Sequence, residues 1–353
     1  MSLRTALSPS LIRRALKPSP TKFSRAVTLL QKARYSTAKE NAGPLIRVTD
    51  LAAPSSGHIR ILELNRPAAR NAISRALLAE LSGHIEAIKA QYDPATGDEI
   101  VTPSWNKRFG GLAGDDQKGP TRALIIASAI DTSFCAGADL KERRTFTEEE
   151  THAFLSTLRQ TLASLADLPV PTISAISSVA LGGGLELALA TNFRVLSSNA
   201  VVGLPETKLG IIPGAGGTFR LPALIGIPRA RDLILTGRRV SAPEAYFLGL
   251  ADRLAEVLPE SEEQAKEWEV MEERERSTHI LAMARRTALS EAVRLASEIS
   301  EGGPVAVRAA LKAVNEPSDP TESAMYLRVL RTEDRDEALK AFAEKRKPVF
   351  KGR

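Results

Sequence analysis

The chain has 353 residues, 43% hydrophobic and 25% charged, the balance of an ordinary globular protein with one large domain or two smaller ones. No apolar run approaches the roughly 18–20 residues that span a bilayer; the single cysteine, Cys135, rules out an intrachain disulfide, and four scattered histidines show no metal-ligand spacing, so neither a membrane nor a metal is expected. The formal charge of +6 is uneven: residues 1–39 hold nine Lys or Arg and no acid, and the rest carries 39 basic against 42 acidic residues, a net of −3.

That basic arm, rich in Ser and Ala, reads as a mitochondrial transit peptide over 1–38, cut near Tyr35–Ser36, and predicts a mitochondrial matrix address. The competing reading is an unstructured basic arm for nucleic acid or membrane. Residues 45–53 and 59–65 alternate as strands around the Pro54–Gly57 turn and predict a hairpin. Leu77, Leu78, Leu81, Ile85 and Ile88 recur at helical spacing, so 74–91 is a helix with Ser74 at its N-cap. Residues 93–120 cluster Pro, Gly and Asp and read as a long surface insertion. The run Gly110–Gly114 inside it lacks the Gly-Lys-Ser/Thr ending of a phosphate loop and is assigned no chemistry. Ala123–Ser128 is a buried strand, Phe134–Asp139 the loop after it, and Thr147–Glu150 a capping box that opens a helix to Leu168. Strands at Thr172–Ile176 and Phe193–Ser197 flank the run Val179–Ala190. This alternation over 45–240 argues a mixed α/β core of repeated small units. Beyond it the pattern is nearly all helical: a capping box at Ser241–Glu244, an acidic segment at Glu260–Glu275, and helices at Pro304–Val314, Thr321–Thr332 and Glu333–Lys345. Residues 241–353 are therefore expected as a helical C-terminal region.

Val179–Ala190 (VALGGGLELALA) puts one carboxylate, Glu186, in an apolar stretch directly after three glycines. A helix starting there presents unpaired N–H groups and the positive end of its dipole, a geometry that stabilises a developing oxyanion. The Phe134–Asp139 loop can offer a second backbone N–H. Glu206 follows Glu186 by 20 residues, after a Gly-Leu-Pro turn. Two carboxylates hold one water as base and acid when their environments set different pKa values. The plain alternative is a tight turn packing a helix on a sheet, with both glutamates facing solvent. Cys135 reads as a small buried hydrophobe, and Asp139 as a cap of its loop. Gly214–Gly217 lacks the spacing of a dinucleotide fingerprint.

With these residues in hand, the sequence resembles the crotonase (enoyl-CoA hydratase/isomerase) superfamily over about 45–353. The motifs that carry the resemblance are Phe134–Glu142 (FCAGADLKE), Ala180–Glu186 (ALGGGLE), Pro205-Glu206 and Ile212–Thr218 (IPGAGGT). Phe134–Arg143 (FCAGADLKER), Leu168–Ile173 (LPVPTI), Ala180–Ala190, Glu206–Pro213 (ETKLGIIP) and Ala341–Arg346 (AFAEKR) are similar to the branch that hydrates 3-methylglutaconyl-CoA in leucine breakdown. The resemblance implies an α/β fold, a spiral of ββα units with a C-terminal helical trimerisation region, and a homotrimer or a homohexamer of two trimers. It implies that the thioester oxygen accepts from the N–H groups of Ala136 and Gly183, that Glu186 activates water for attack on Cβ, and that Glu206 delivers the proton to Cα. Arg66, Ala68, Arg70 and Ala72, with Gly137, Ala138, Asp139 and Leu140, would line the CoA channel together with Gly214. Phe342 and Lys345 of a neighbouring subunit would close over the CoA. No separate cofactor or metal is implied, CoA being part of the acyl-CoA substrate. The runner-up is a general short-chain enoyl-CoA hydratase of fatty-acid β-oxidation.

The chain departs from the family at Ser177-Ser178, where Asn or Asp followed by Gly is common, and at Phe219, where Gln is common. A reading of another class, an RNA-binding protein, needs a clustered basic surface. The helix at 74–91 carries only Arg75 and Lys89 as basic residues, beside Glu80 and Glu86, which argues against it.

Overall fold

The strands, in chain order, are β1 (Ile46–Ala52), β2 (His58–Leu64), β3 (Thr121–Ser128), β4 (Thr172–Ile176), β5 (Val179–Leu181), β6 (Phe193–Ser197), β7 (Val201–Gly203), β8 (Arg239–Ser241) and β9 (Arg253–Ala255). The helices are α1 (Arg75–Lys89), α2 (Leu140–Arg143), α3 (Glu148–Ala166), α4 (Gly183–Leu189), α5 (Gly217–Ile225), α6 (Ile227–Thr236), α7 (Ala242–Leu248), α8 (Glu262–Val270), α9 (Glu273–Ser300), α10 (Pro304–Asn315), α11 (Asp319–Val329) and α12 (Glu333–Ala343). The computed structural model describes residues 43–100, 119–259 and 261–353. The transit peptide read at 1–38, the glycine run 110–114, the stretch 101–118 of the insertion and residue 260 lie outside the described residues. Pro44–Arg353 forms one unit.

A six-stranded sheet runs in the order β1-β2-β3-β4-β6-β9. The β1–β2 hairpin is antiparallel, and every later pairing is parallel. A smaller sheet, β5-β7-β8, stands beside it. Parallel strands are covered on both faces, so they read as continuous apolar runs. β3 shows this: Leu124 and Ile126 enter one core cluster while Ala123, Ile125 and Ala127 enter the other, the period-two split of a pleated strand. On the first face pack Leu77, Leu81 and Ile85 of α1 and Phe154, Leu158 and Leu162 of α3. On the second lies α9 with Leu289, Ala292, Val293 and Ala296, whose small side chains admit the helix close to the sheet.

The local signals act as their chemistry demands. Ser74 Oγ accepts from Leu77 N at 3.2 Å and starts α1. Thr147 and Glu150 close a reciprocal capping box on α3. At Ser241 the hydroxyl caps α7. Two expectations are refined. The C-terminal region is not wholly helical, because β9 pairs in parallel with β6 and completes the main sheet. The beginning of the 93–120 insertion is a surface loop pinned to the fold. Asp93 Oδ1 accepts from Ala95 N and Thr96 N, and Glu99 is gripped by Arg122 and Arg308, which ties the segment to β3 and α10. The acidic segment, by contrast, forms α8 without a buried residue and turns at Met271–Glu272 into α9. Among the described residues no helix is long and apolar enough to cross a membrane.

Candidate active site

Two loops and one short helix build the site. After β2 the chain passes through a turn in which Arg70 and Asn71 both adopt left-handed backbone, φ 52° and 56°. Asn tolerates that conformation, and its side chain is fully buried here. Asn71 Nδ2 donates to Ser128 Oγ at 2.9 Å and Phe134 O at 3.0 Å, and Oδ1 accepts from Arg66 N at 2.7 Å. This one amide ties the Arg66–Ala72 turn to the loop that follows β3.

That loop carries the first backbone donor. Ile73 N donates to Gly137 O at 2.7 Å, and Asp139 N to Ile73 O at 3.1 Å. The pair straddles Ala138, so the Ala138 N–H points away from Ile73 and has no acceptor among the described residues. Gly137, at φ 96°, leaves no room for a side chain: a β-carbon there would lie 2.8 Å from Leu181 O. The Ala136 N–H, expected as the donor, instead donates to Arg70 O at 3.1 Å. The expectation is corrected for a geometric reason. The left-handed turn at 70–71 brings a carbonyl to Ala136, and the positive φ of Gly137 swings the next free N–H to Ala138.

The second donor comes from α4. Gly182 N binds Gly203 O at 2.9 Å, which leaves Gly183 as the first helical residue with no intrahelical acceptor for its N–H. A β-carbon on Gly183 would sit 3.6 Å from Ala138 N, so the two free N–H groups lie side by side. Gly184 permits that approach, since a β-carbon there would fall 2.2 Å from Cys135 O.

Both glutamates stand at the glycine turn that opens α4. Glu186, in the first turn of α4, is 3% exposed, and its Oε1 accepts from Ala215 N at 2.7 Å and Gly217 N at 2.9 Å. Burial raises its carboxyl above the ordinary range, while the two amides and the Arg220 and Arg159 charges oppose the rise. Glu206 opens a one-turn 3-10 helix, Glu206–Leu209, and is 8% exposed. Its Oε1 lies 3.0 Å from the β-carbon position of Gly182, and its Oε2 is buried with no hydrogen-bond partner among the described residues. Burial pushes Glu206 up to about 7, its own backbone N–H opposing and the Glu186 charge reinforcing.

The remaining expected residues divide. Arg66 is an internal brace: Nη1 donates to Ala72 O at 2.8 Å and Nη2 pairs with Asp139 Oδ2 at 2.7 Å. Asp139 also caps α2 through Lys141 N and Glu142 N. Burial would raise its carboxyl, but Arg66 and those amides hold it below its ordinary value. Ala68, Arg70, Ala136 and Leu140 are exposed beside this brace, and Ala72 is buried under it. Gly214 hinges the Glu186 cradle, its carbonyl accepting from Arg159 Nε at 2.6 Å. Phe342 is 87% exposed on α12, and Lys345 lies exposed just beyond it at φ 54°. Cys135 is buried, and burial pushes its thiol up to about 12, as suits a packing residue. Sequence reasoning missed Asn71, Arg159 and Arg220. Only Asn71 left a trace, as a buried-type amide following a turn.

A family model described as enoyl-CoA hydratase/isomerase matches residues 111–353. The chain is 68% identical over 320 residues to "Methylglutaconyl-CoA hydratase 1, mitochondrial" of Pyricularia oryzae, covering 91% of this chain and 90% of that one. It is 38% identical over 314 residues to "Methylglutaconyl-CoA hydratase, mitochondrial" of Mus musculus, covering 87% and 83%. A crystal structure of an enoyl-CoA hydratase from Bacillus anthracis superposes with a TM-score of 0.67 at 36% identity, covering 88% of this chain and 100% of that one. By fold, by site and by likeness along most of its length, the chain belongs to the enoyl-CoA hydratase/isomerase family, the crotonase superfamily.

Proposed function

We propose that this chain is an enoyl-CoA hydratase, a carbon–oxygen lyase, that adds water to 3-methylglutaconyl-CoA in leucine breakdown in the mitochondrial matrix. One observation carries the chemistry: two buried carboxylates in unlike environments stand at the glycine turn beside two neighbouring backbone N–H groups that have no acceptor among the described residues. The names and identities of the fungal and mouse relatives carry the substrate and the address, with which the acid-free basic arm at 1–38 agrees.

The thioester oxygen takes hydrogen bonds from the Ala138 and Gly183 N–H groups, which stabilise the charge that grows there as water attacks. Ionised Glu186, held by two amides, accepts a proton from water while the oxygen bonds to Cβ. Glu206, still protonated near neutral pH, gives its proton to Cα. The next water returns the proton from Glu186 to Glu206. CoA is part of the substrate, and no separate cofactor takes part. Arg66 and Asp139 lock the two loops that form the channel mouth, with Arg70 and Leu140 at its rim.

The working form is an oligomer, a homotrimer or homohexamer. The exposed Tyr326, Leu327, Leu339 and Phe342 on α11 and α12 offer such an assembly apolar side chains to bury, and a neighbour's Phe342 and Lys345 close over the CoA. RNA binding gains no support. Arg75, one of two basic residues on α1, is paired with Glu150 at 3.0 Å and stacked on Phe146. The test is a comparison of kcat/KM for 3-methylglutaconyl-CoA and crotonyl-CoA. A preference for the first is expected, and a strong preference for crotonyl-CoA would favour the short-chain hydratase instead.

A further inference from the structure

We propose that Arg159 is a positioning residue for the base: by gripping the carbonyl of the Gly214–Ala215 peptide, it turns the N–H of that same peptide onto Glu186. Arg159 Nε donates to Gly214 O at 2.6 Å, and Ala215 N donates to Glu186 Oε1 at 2.7 Å. The O and H of a trans peptide point in opposite directions within one rigid plane. Fixing the oxygen therefore fixes the hydrogen. A cation at one end and a carboxylate at the other also polarise the peptide in the same sense, which strengthens both bonds.

The neighbours support a dedicated contact. Arg159 stands one helical turn after Leu155 on α3, and Leu155 Cδ2 lies 3.2 Å from the β-carbon position of Gly214. One face of α3 therefore meets Gly214 twice, through packing and through charge. Among the described residues no carboxylate lies within ion-pair distance of Arg159, and its charge acts on Glu186. The charged and donor groups around Glu186 are the Ala215 and Gly217 amides, Arg220 on α5, Arg159 on α3 and Glu206. Arg220 acts differently: its Nη1 holds Ala215 O at 2.9 Å, and the N–H of that peptide belongs to Gly216, which donates nothing to Glu186. Arg220 shapes the loop, whereas Arg159 is joined to the base through a single peptide.

This inference rests on the hydratase reading. The test measures hydration of 3-methylglutaconyl-CoA and crotonyl-CoA against pH for the full chain and for Arg159→Met and Arg159→Lys. Arg159→Met should lower kcat about ten- to a hundredfold, as small misplacements of catalytic groups do, with KM within about twofold. The acidic limb of its pH profile should move to higher pH, because the ionised base loses support. Arg159→Lys, which keeps the charge, should recover most of both effects, and the two substrates should lose rate by the same factor. An unmoved acidic limb would overturn the proposal. So would a loss confined to the carboxylated substrate, which would mean that Arg159 touches the substrate directly. A carboxyl-13C titration of Glu186 reads the coupling without turnover: its midpoint should rise in Arg159→Met, and superimposable curves would also overturn it. Wild-type protein that hydrates neither thioester would instead sink the hydratase reading.

Discussion

The site has two halves built on different principles. One half is made of side chains, Glu186 and Glu206, whose proton affinity is set by what surrounds them. The other half is made of backbone, the N–H groups of Ala138 and Gly183, whose chemistry is fixed and whose direction is everything. In the side-chain half the two glutamates differ sharply in support. Glu186 Oε1 receives two amides, while the Glu206 carboxylate has its own backbone N–H and an Oε2 buried with no partner among the described residues. That inequality separates base from acid without any change of residue type. In the backbone half, direction is secured by glycines at points where a β-carbon would collide, Gly137 against Leu181 O and Gly184 against Cys135 O.

The first way to break this comparison is to attack each half by its own means. Glu186→Gln and Glu206→Gln change charge but little shape, so each should lower kcat by about 10²–10⁴-fold, the range of a lost acid or base, with the thermal transition nearly unmoved. Near wild-type turnover in either variant would remove the side-chain half of the mechanism. The backbone half yields only to a change that moves the chain. Gly137→Ala forces an L side chain to φ 96° and towards Leu181 O. It should cost about 10²–10³ in kcat, the worth of one oxyanion donor, and should also lower stability, as the glutamate variants do not. A Gly137→Ala enzyme of normal rate would mean that Ala138 is not a donor.

Acidity sharpens the contrast further. In the proposed mechanism Glu206 acts as the acid and must be protonated; burial pushes its carboxyl up to about 7, so kcat/KM should fall about tenfold per pH unit above that value. Glu186 must be ionised, and its raised carboxyl gives the acidic limb. The Glu186 charge is one cause of the Glu206 rise. The residual activity of Glu186→Gln should therefore show its alkaline limb at lower pH than wild type, though the pair titrates as a unit in the native enzyme. A limb that stays in place would show that the two carboxylates do not feel each other.

The halves also differed in how far the amino-acid sequence revealed them. Glu186 and Glu206 stood out because an acid in an apolar stretch, or just after a turn, is chemically conspicuous. Thr172–Ile176 and Phe193–Ser197 were legible to the residue, because apolar strands bounded by turn residues leave clear edges. The backbone half was less legible: the Ala136 N–H expected there donates to Arg70 O, and the free N–H lies two residues on, at Ala138. Which N–H faces the substrate depends on φ at Gly137 and on a distant carbonyl at Arg70, and neither is written in residue type. β9 escaped because three residues carry no readable period, and only its place beside β6 makes it a strand. Arg159 escaped because an exposed arginine on a helix looks like every solvated one.

The smallest expected effect tests the brace that holds both halves in register. Arg66 and Asp139 pair at 2.7 Å with side chains 26% and 9% exposed, so solvent screens the contact and its contribution is about 1 kcal/mol. Asp139 is held below its ordinary carboxyl range in the folded chain, with burial opposing and Arg66 and the α2 amides prevailing. A depressed native carboxyl stabilises the fold above the ordinary Asp range and loses that contribution as pH falls through its folded value. Arg66→Met should therefore unfold at lower urea than wild type at pH 6, and the gap should narrow as pH drops below about 4. A gap that persists unchanged in acid would assign the Arg66 contribution to its bond with Ala72 O, which does not titrate. The mouth of the site would then be held by backbone on this side as well.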